Sequence, residues 1–284
     1  RGYSLHILLD SGANSTVIGF NYLGKLGQLG NQMFQVAALK GIAANRGFNF
    51  CFPNHDEVFD DGIGNKLHIE LLKPFKLSRT SQLNLQVIDS DRPVVQEQGF
   101  QFNETLFNEC PDWVSLYGFF QTEKYFKHIE DEIREDFSFK DEIEGPCKEM
   151  IEAVEEPIGL HIRRGDFLLN NANHNNLTLE YYAKALDEFN SDRNVIIFSD
   201  DTEWCKQQEL FSGDRFLVSE SGNPYVDLCL MSMCSDFIIA NSTFSWWGAW
   251  LANKGTVIAP NKWFGPNNAH LDTSDLYPES WTVI

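Results

Sequence analysis

The chain has 284 residues, 43% of them hydrophobic and 13% aromatic, and carries a formal net charge of −19. That length allows two domains, and the charge argues against nucleic acid or an anionic membrane as partner, since both reward basic surfaces. No apolar run approaches the roughly 18 residues a membrane span needs, so no transmembrane segment is expected. The cysteines at 51, 110, 147, 205, 229 and 234 form no C-x-x-C pair, which suits reduced, buried thiols in a cytoplasmic protein. The chain begins at Arg1 without a signal-peptide pattern, so the sequons at Asn103, Asn176 and Asn241 are read as chance.

Residues 1–16 read as an upstream extension or a reading-frame remnant. Within them, Asp10-Ser11-Gly12-Ala13 resembles the turn of an aspartic protease, a chemistry that needs two such carboxylates side by side. No second copy follows. Val17 to Tyr22 reads as a strand, and a glycine-rich turn from Gly24 to Gly30 then enters a helix. Asn31 is its expected N-cap and Gly47 its stop. Strand, glycine turn and helix together bring backbone N–H groups close to an anion, or simply allow close packing.

Phe48–Phe52, Leu83–Ile88 and Val114–Phe119 read as further strands. Asp89-Ser90-Asp91 is either a metal-holding D-x-D or a solvated loop beside Pro93. From Thr122 the pattern turns helical through Phe126, Ile129 and Ile133, and a second helix runs through Ile143, Cys147, Met150, Ile151 and Val154. The acidic stretch from Lys140 to Gly145 is the expected domain boundary, dividing 17–145 from 146–284.

The second half alternates strand and helix. Ile158–Ile162 is an apolar run that ends in Arg163-Arg164-Gly165-Asp166. Side chains alternate along a strand, so His161 and Arg163 share one face while Arg164 points the other way. A guanidinium stays charged and forks onto phosphate or carboxylate; the competing reading is an Arg164–Asp166 ion pair locking a loop. After an Asn-rich loop, a helix through Tyr182 and Phe189 precedes a strand over Asn194–Phe198. A helix from Asn223-Pro224, a strand over Asp236–Ala240, a helix over Phe244–Leu251 and a strand over Thr256–Pro260 complete the rhythm. This spacing predicts a parallel, Rossmann-like α/β sheet.

Strand ends of a parallel sheet share one rim, so His161/Arg163/Arg164/Asp166, Ser199/Asp200/Asp201 and Asn241/Ser242/Thr243 form a composite site. Arg163 suits a diphosphate, as do the N–H groups of the helix starting at Ser242-Thr243-Phe244. Asp200 suits the N–H groups of a guanine. Phe244 or Trp246 either stacks on a base or fills core.

Gly27 to Gln35, Gly118 to Phe126, His161 to Asp166, Phe198 to Asp201 and Asn241 to Leu251, in that order over about residues 17–264, resemble the α-1,2-fucosyltransferase family, glycosyltransferase family 11. The resemblance implies a GT-B-like fold, two Rossmann-type domains facing a cleft. Residues 17–145 would then be the acceptor side and 146–284 the GDP-fucose side. It implies inverting, metal-independent transfer of L-fucose from GDP-fucose to the 2-hydroxyl of a galactose-containing glycan, with no cofactor beyond the donor. It places the diphosphate near Arg163 and Ser242, Thr243 and Phe244, with Arg164, Asp200 and, from the other domain, Asn31 and Gln32 as further substrate contacts. Asp166, Glu123 and His161 are the candidate bases. The family more often has two glycines where Gly27-Gln28 stands. The alternatives are a metal-dependent transferase using Asp89 and Asp91, or a silent glycan-binding relative.

Overall fold

The computed structural model describes residues 15–62, 64–77 and 85–284, so the protease-like turn at Asp10 lies outside the described residues. In chain order, β1 (Val17–Gly19) leads to α1 (Leu29–Arg46), β2 (Asn49–Cys51), the hairpin β3 (Phe59–Asp60) and β4 (Lys66–Leu67), β5 (Val94–Gln96), α2 (Glu104–Glu109) and β6 (Val114–Tyr117). Helices α3 (Glu130–Asp136) and α4 (Asp141–Glu152) follow. The second half runs β7 (Ile158–Ile162), α5 (Gly165–Leu169), α6 (Leu179–Leu186), β8 (Val195–Ser199), α7 (Thr202–Lys206) and β9 (Phe216–Val218). It continues through α8 (Pro224–Met233), β10 (Asp236–Ile238), α9 (Thr243–Ala252), β11 (Val257–Ala259) and β12 (Thr282–Val283).

Two parallel sheets result. The first has the order β2-β1-β6-β5, the second β12-β11-β10-β7-β8-β9. Parallel sheets are covered on both faces, so their strands read as apolar runs, and β7 is buried along its whole length. From the β9 edge, the second sheet has the doubly wound order 3-2-1-4-5-6, with its switch point between β7 and β10. The first sheet reverses direction between β1 and β6. These two reversals are where ligand crevices form.

Helix α1 joins the sheets' covering layers. Its residues Met33, Phe34, Ala37, Ala38 and Ile42 are fully buried, as their crowding in the sequence predicts. Phe34 sits 4.4 Å from the Trp246 ring and 4.8 Å from the Trp247 ring of α9. Each such side chain contributes about 1.5–3 kcal/mol on burial. Trp246 therefore belongs to core rather than to a ligand stack. All six cysteines are buried and unpaired. No helix of the described residues is long and apolar enough to cross a membrane.

Several local expectations fail for identifiable reasons. The Leu83–Ile88 strand is not formed over its described part. The Asn21 side chain takes the Ile88 carbonyl at 2.7 Å and receives the Ile88 N–H at 2.8 Å, which occupies the groups a ladder would use. The sheet edge is β5 instead. The helix from Thr122 is broken into 3₁₀ turns at Glu123–Tyr125 and Lys127–Ile129 before α3, because the Thr122 hydroxyl caps Lys124 and Phe126 leaves the helical region at φ −134°, ψ 6°. The acidic stretch at 140–145 is not loosely structured: Asp141, Glu142 and Glu144 are the first turn of α4, at the positive end of its dipole. Helix α1 starts three residues early, with its N-cap position at Gln28 rather than Asn31, and stops at Gly47 with φ 69° as expected.

Candidate active site

A cleft of about 1220 Å³ runs between the carboxyl ends of the two sheets. Its walls include Leu26–Asn31, Phe119 and Gln121 from the first half and His161, Arg163, Asp166, Asp200 and Asn241–Phe244 from the second. Most of the expected composite site is therefore on one surface. Arg164, Asp201 and Gln32 are not.

The two arginines take separate roles, as strand alternation requires. Arg163 Nη2 donates to Asp166 Oδ1 at 2.6 Å and Nη1 lies 3.1 Å from Asp200 Oδ2, so the guanidinium is clamped at the cleft wall. Arg164 turns away. Its Nε donates to Asp201 Oδ2 at 3.0 Å and its guanidinium lies 3.9 Å above the Trp204 ring. The competing Arg164–Asp166 pair is thus replaced by Arg163–Asp166, and Arg164, read as a substrate contact, does not line the cleft. Asp200 lines the cleft, but both its oxygens are engaged, one by Arg163 and one by the Arg164 N–H at 2.9 Å. Its main work is to position the arginine. Gly165 allows this approach, since a Cβ there would stand 2.5 Å from Asp200 Oδ2.

His161 is 5% exposed, with its ring 5.0 Å from that of Phe244 and Nδ1 lacking a partner. Burial, reinforced by Arg163, pushes the imidazole down to about 3. A ring that holds a proton so weakly is neutral at physiological pH and is a weak general base. Glu123 is not placed for the role. It receives the Trp250 indole N–H at 2.9 Å and lies outside the cleft wall. Asp166 remains, with Oδ2 3.5 Å from Asn65 Nδ2.

Opposite β7, across the switch point, α9 begins at Ser242. This N-cap residue makes no side-chain capping bond, and Gln28 makes none at α1. Neither helix has an acid in its first turn, whereas every other α-helix of the described residues does. In a chain of net charge −19, that leaves the positive ends of α1 and α9 unquenched where they meet the cleft. The two ends touch. A Cβ on Gly30 would collide with Thr243 Oγ1 and stand 2.8 Å from its carbonyl carbon, and Trp247 Nε1 donates to the Gly30 carbonyl at 3.0 Å. Asn241 fixes the approach by donating to the Asn175 and Trp263 carbonyls at 2.7 and 2.9 Å.

Asn31 lines the cleft and receives Gln121 Nε2 at 3.0 Å. Gln32 is wholly buried. It donates to the His68 carbonyl at 2.8 Å and receives the Glu70 N–H at 2.8 Å, so it staples a loop and does not line the cleft. Asp89 and Asp91 are exposed and outside the cleft wall, so a metal held there would not reach a ligand in it. Sequence reasoning passed over Gln121 and Asp227. Gln121 is 7% exposed with Oε1 unpartnered, and the signal was its place in the Gly118–Phe126 run. Asp227 receives the Ser219 and Ser221 hydroxyls at 2.6 and 2.8 Å, and burial raises its carboxyl.

The family model for glycosyl transferase family 11 matches residues 13–284. An "Alpha-1,2-colitosyltransferase" from Escherichia coli is 31% identical over 91% of this chain and 96% of its own. A "Galactoside alpha-(1,2)-fucosyltransferase 1" from Bos taurus is 25% identical over 87% of this chain and 71% of its own. Among solved structures, POFUT1 in complex with GDP superposes with a TM-score of 0.54 at 13% identity, covering 87% of this chain and 99% of that one. The fucosyltransferase NodZ from Bradyrhizobium gives a TM-score of 0.52 at 12% identity, covering 84% and 93%. The fold is the GT-B-like one, α/β with two Rossmann-type sheets facing a cleft.

Proposed function

Because the chain belongs to glycosyl transferase family 11, we propose that it transfers L-fucose from GDP-fucose to the 2-hydroxyl of a galactoside, with inversion and without a metal. The observation that carries this reading is the clamped Arg163 on one cleft with the uncapped N-termini of α9 and α1. As the fucosyl bond breaks through an oxocarbenium-like state, negative charge grows on the leaving diphosphate. A fixed cation and oriented N–H groups stabilise that growing charge more than the ground state, which lowers the barrier. The positive field is supplied by the chain itself, in line with a metal-independent reaction.

The sites divide accordingly. Arg163, Ser242, Thr243 and Phe244 hold the diphosphate from the 146–284 side, and His161 offers the donor a neutral hydrogen-bonding ring. Asn31 and Gln121 face the transferred sugar or the acceptor from the 17–145 side. Asp166 is the carboxylate placed to take the acceptor proton, a contribution of about 10²–10⁴-fold.

The test is GDP release from GDP-fucose with and without lactose, in EDTA. Release that requires the galactoside supports the proposal, and release abolished by EDTA overturns its metal-free part. Binding of GDP-fucose and lactose without turnover would make the chain a silent glycan-binding relative. The similarity to a colitosyltransferase favours a second reading, transfer of a different sugar from the same cleft. Turnover of a colitosyl donor with GDP-fucose inert would establish it.

A further inference from the structure

The wall of the cleft opposite Arg163 carries a feature that the donor chemistry does not use. Of the large apolar side chains left exposed among the described residues, Phe119, at 37%, is the one on the cleft wall. The chain holds it there deliberately. Glu97 receives the Phe119 N–H at 2.9 Å and the Phe120 N–H at 3.1 Å, filling with its own carboxylate the small anion-binding nest that successive N–H groups form. Gln35 donates to the Gly118 carbonyl at 3.2 Å from the other side.

The backbone between these anchors is unusual. Gly118 has φ 154°, and a Cβ there would stand 2.5 Å from Glu97 Cβ. Phe120 has φ 54°, which a bulky residue adopts only when its surroundings over-determine it. Its ring is fully buried, 6.1 Å from Phe20 and 5.4 Å from Tyr125. The result is a pair of adjacent phenylalanines, one driven into the core so that the next is presented to the cleft. Single exposed rings are common on protein surfaces, but this one is fixed by backbone anchors on a cleft wall, where a ligand would cover it.

We propose that Phe119 is the stacking platform for the acceptor sugar, and that Glu97 is the residue that positions it. This inference rests on the galactoside reading above. The axial 4-hydroxyl of galactose leaves C–H bonds at positions 3, 4 and 5 on one ring face, an apolar patch that a phenyl ring matches. Acidic groups are the wrong partner for such a face, and the Glu97 carboxylate is spent on backbone. The platform selects for ring-face shape, while polar groups such as Asn31 and Gln121 select for hydroxyls.

The experiment measures acceptor and donor KM, kcat, and acceptor-independent donor hydrolysis for the parent, Phe119→Ala, Phe119→Trp, Glu97→Ala and Glu97→Gln. Lactose binding by saturation-transfer NMR in the presence of GDP is measured alongside. For Phe119→Ala the acceptor KM should rise by about tenfold, the scale of one aromatic contact, with donor KM and hydrolysis unchanged. Phe119→Trp should restore it. Glu97→Ala should raise acceptor KM in the same way and Glu97→Gln should recover part of it, since the amide oxygen still accepts one N–H. An acceptor KM within twofold of the parent in Phe119→Ala overturns the proposal and leaves the transferase reading standing. A parent that binds lactose without turnover, with binding lost in Phe119→Ala, supports the platform while the transferase reading falls. A parent that neither turns over nor binds lactose overturns both.

Discussion

At the end of β7 two carboxylates, Asp166 and Asp200, hold a cation, whereas at the end of β6 one carboxylate, Glu97, holds two backbone N–H groups. Both rims border the same cleft and both use acids, with opposite results. On the β7 rim the acids fix Arg163 and leave its remaining N–H groups to a ligand. Across the switch point, α9 starts without a cap or an acid. On the β6 rim the acid consumes the N–H groups, leaves no room for an anion, and turns a phenyl ring outward. The contrast supports the proposed division, with the charged leaving group against the second sheet and the uncharged sugar against the first.

The contrast can be broken from either end. Arg163→Ala should lower kcat by about 10²–10³-fold, equivalent to about 3–4 kcal/mol of lost charge stabilisation. Thermal stability should fall as well, by at least about 1 kcal/mol in the same preparation by calorimetry, because Asp166 and Asp200 lose their shared cation. Gly30→Ala attacks the junction of α1 and α9. The added methyl meets backbone as well as the Thr243 side chain, so it should cost about 1–3 kcal/mol of stability, read from denaturant midpoints.

His161 gives a pH test of the charged rim. Its folded pKa, about 3, lies below the ordinary histidine value of 6.5, so between those limits the unfolded chain takes up a proton that the folded chain refuses. The stability this group contributes is complete above 6.5 and is lost as pH falls toward 3, with a slope of up to about 1.4 kcal/mol per pH unit. His161→Gln should lack that slope, so the two unfolding curves should converge on acidification. Arg164→Ala should have the smallest effect, about 1 kcal/mol from the lost Trp204 stack and Asp201 pair. Its kcat should stay within a few-fold of the parent's.

The sequence made the second sheet legible because its strands are uninterrupted apolar runs and its helices carry local start signals, as at Asn223-Pro224. The strand period also separated Arg163 from Arg164 by direction. The clamp on Arg163 and the diversion of Arg164 depend on Asp200, Asp201 and Trp204, whose distances from β7 no local pattern encodes. Gln32 resembled a ligand-facing polar group because its partners are main-chain atoms of His68 and Glu70 in another loop. Glu97 was invisible for the same reason, since its partners are N–H groups, which every residue supplies. The first sheet was harder throughout: Asn21 quenches the apparent strand at Ile88, a capture that depends on tertiary contact.

The most direct test is a calorimetric titration of GDP, in EDTA, into the parent, Arg163→Ala and Arg164→Ala. The account predicts binding to the parent, at least about tenfold weaker binding to Arg163→Ala, and affinity within about threefold of the parent for Arg164→Ala. Equal losses for the two variants, or binding that requires a divalent metal, would contradict it.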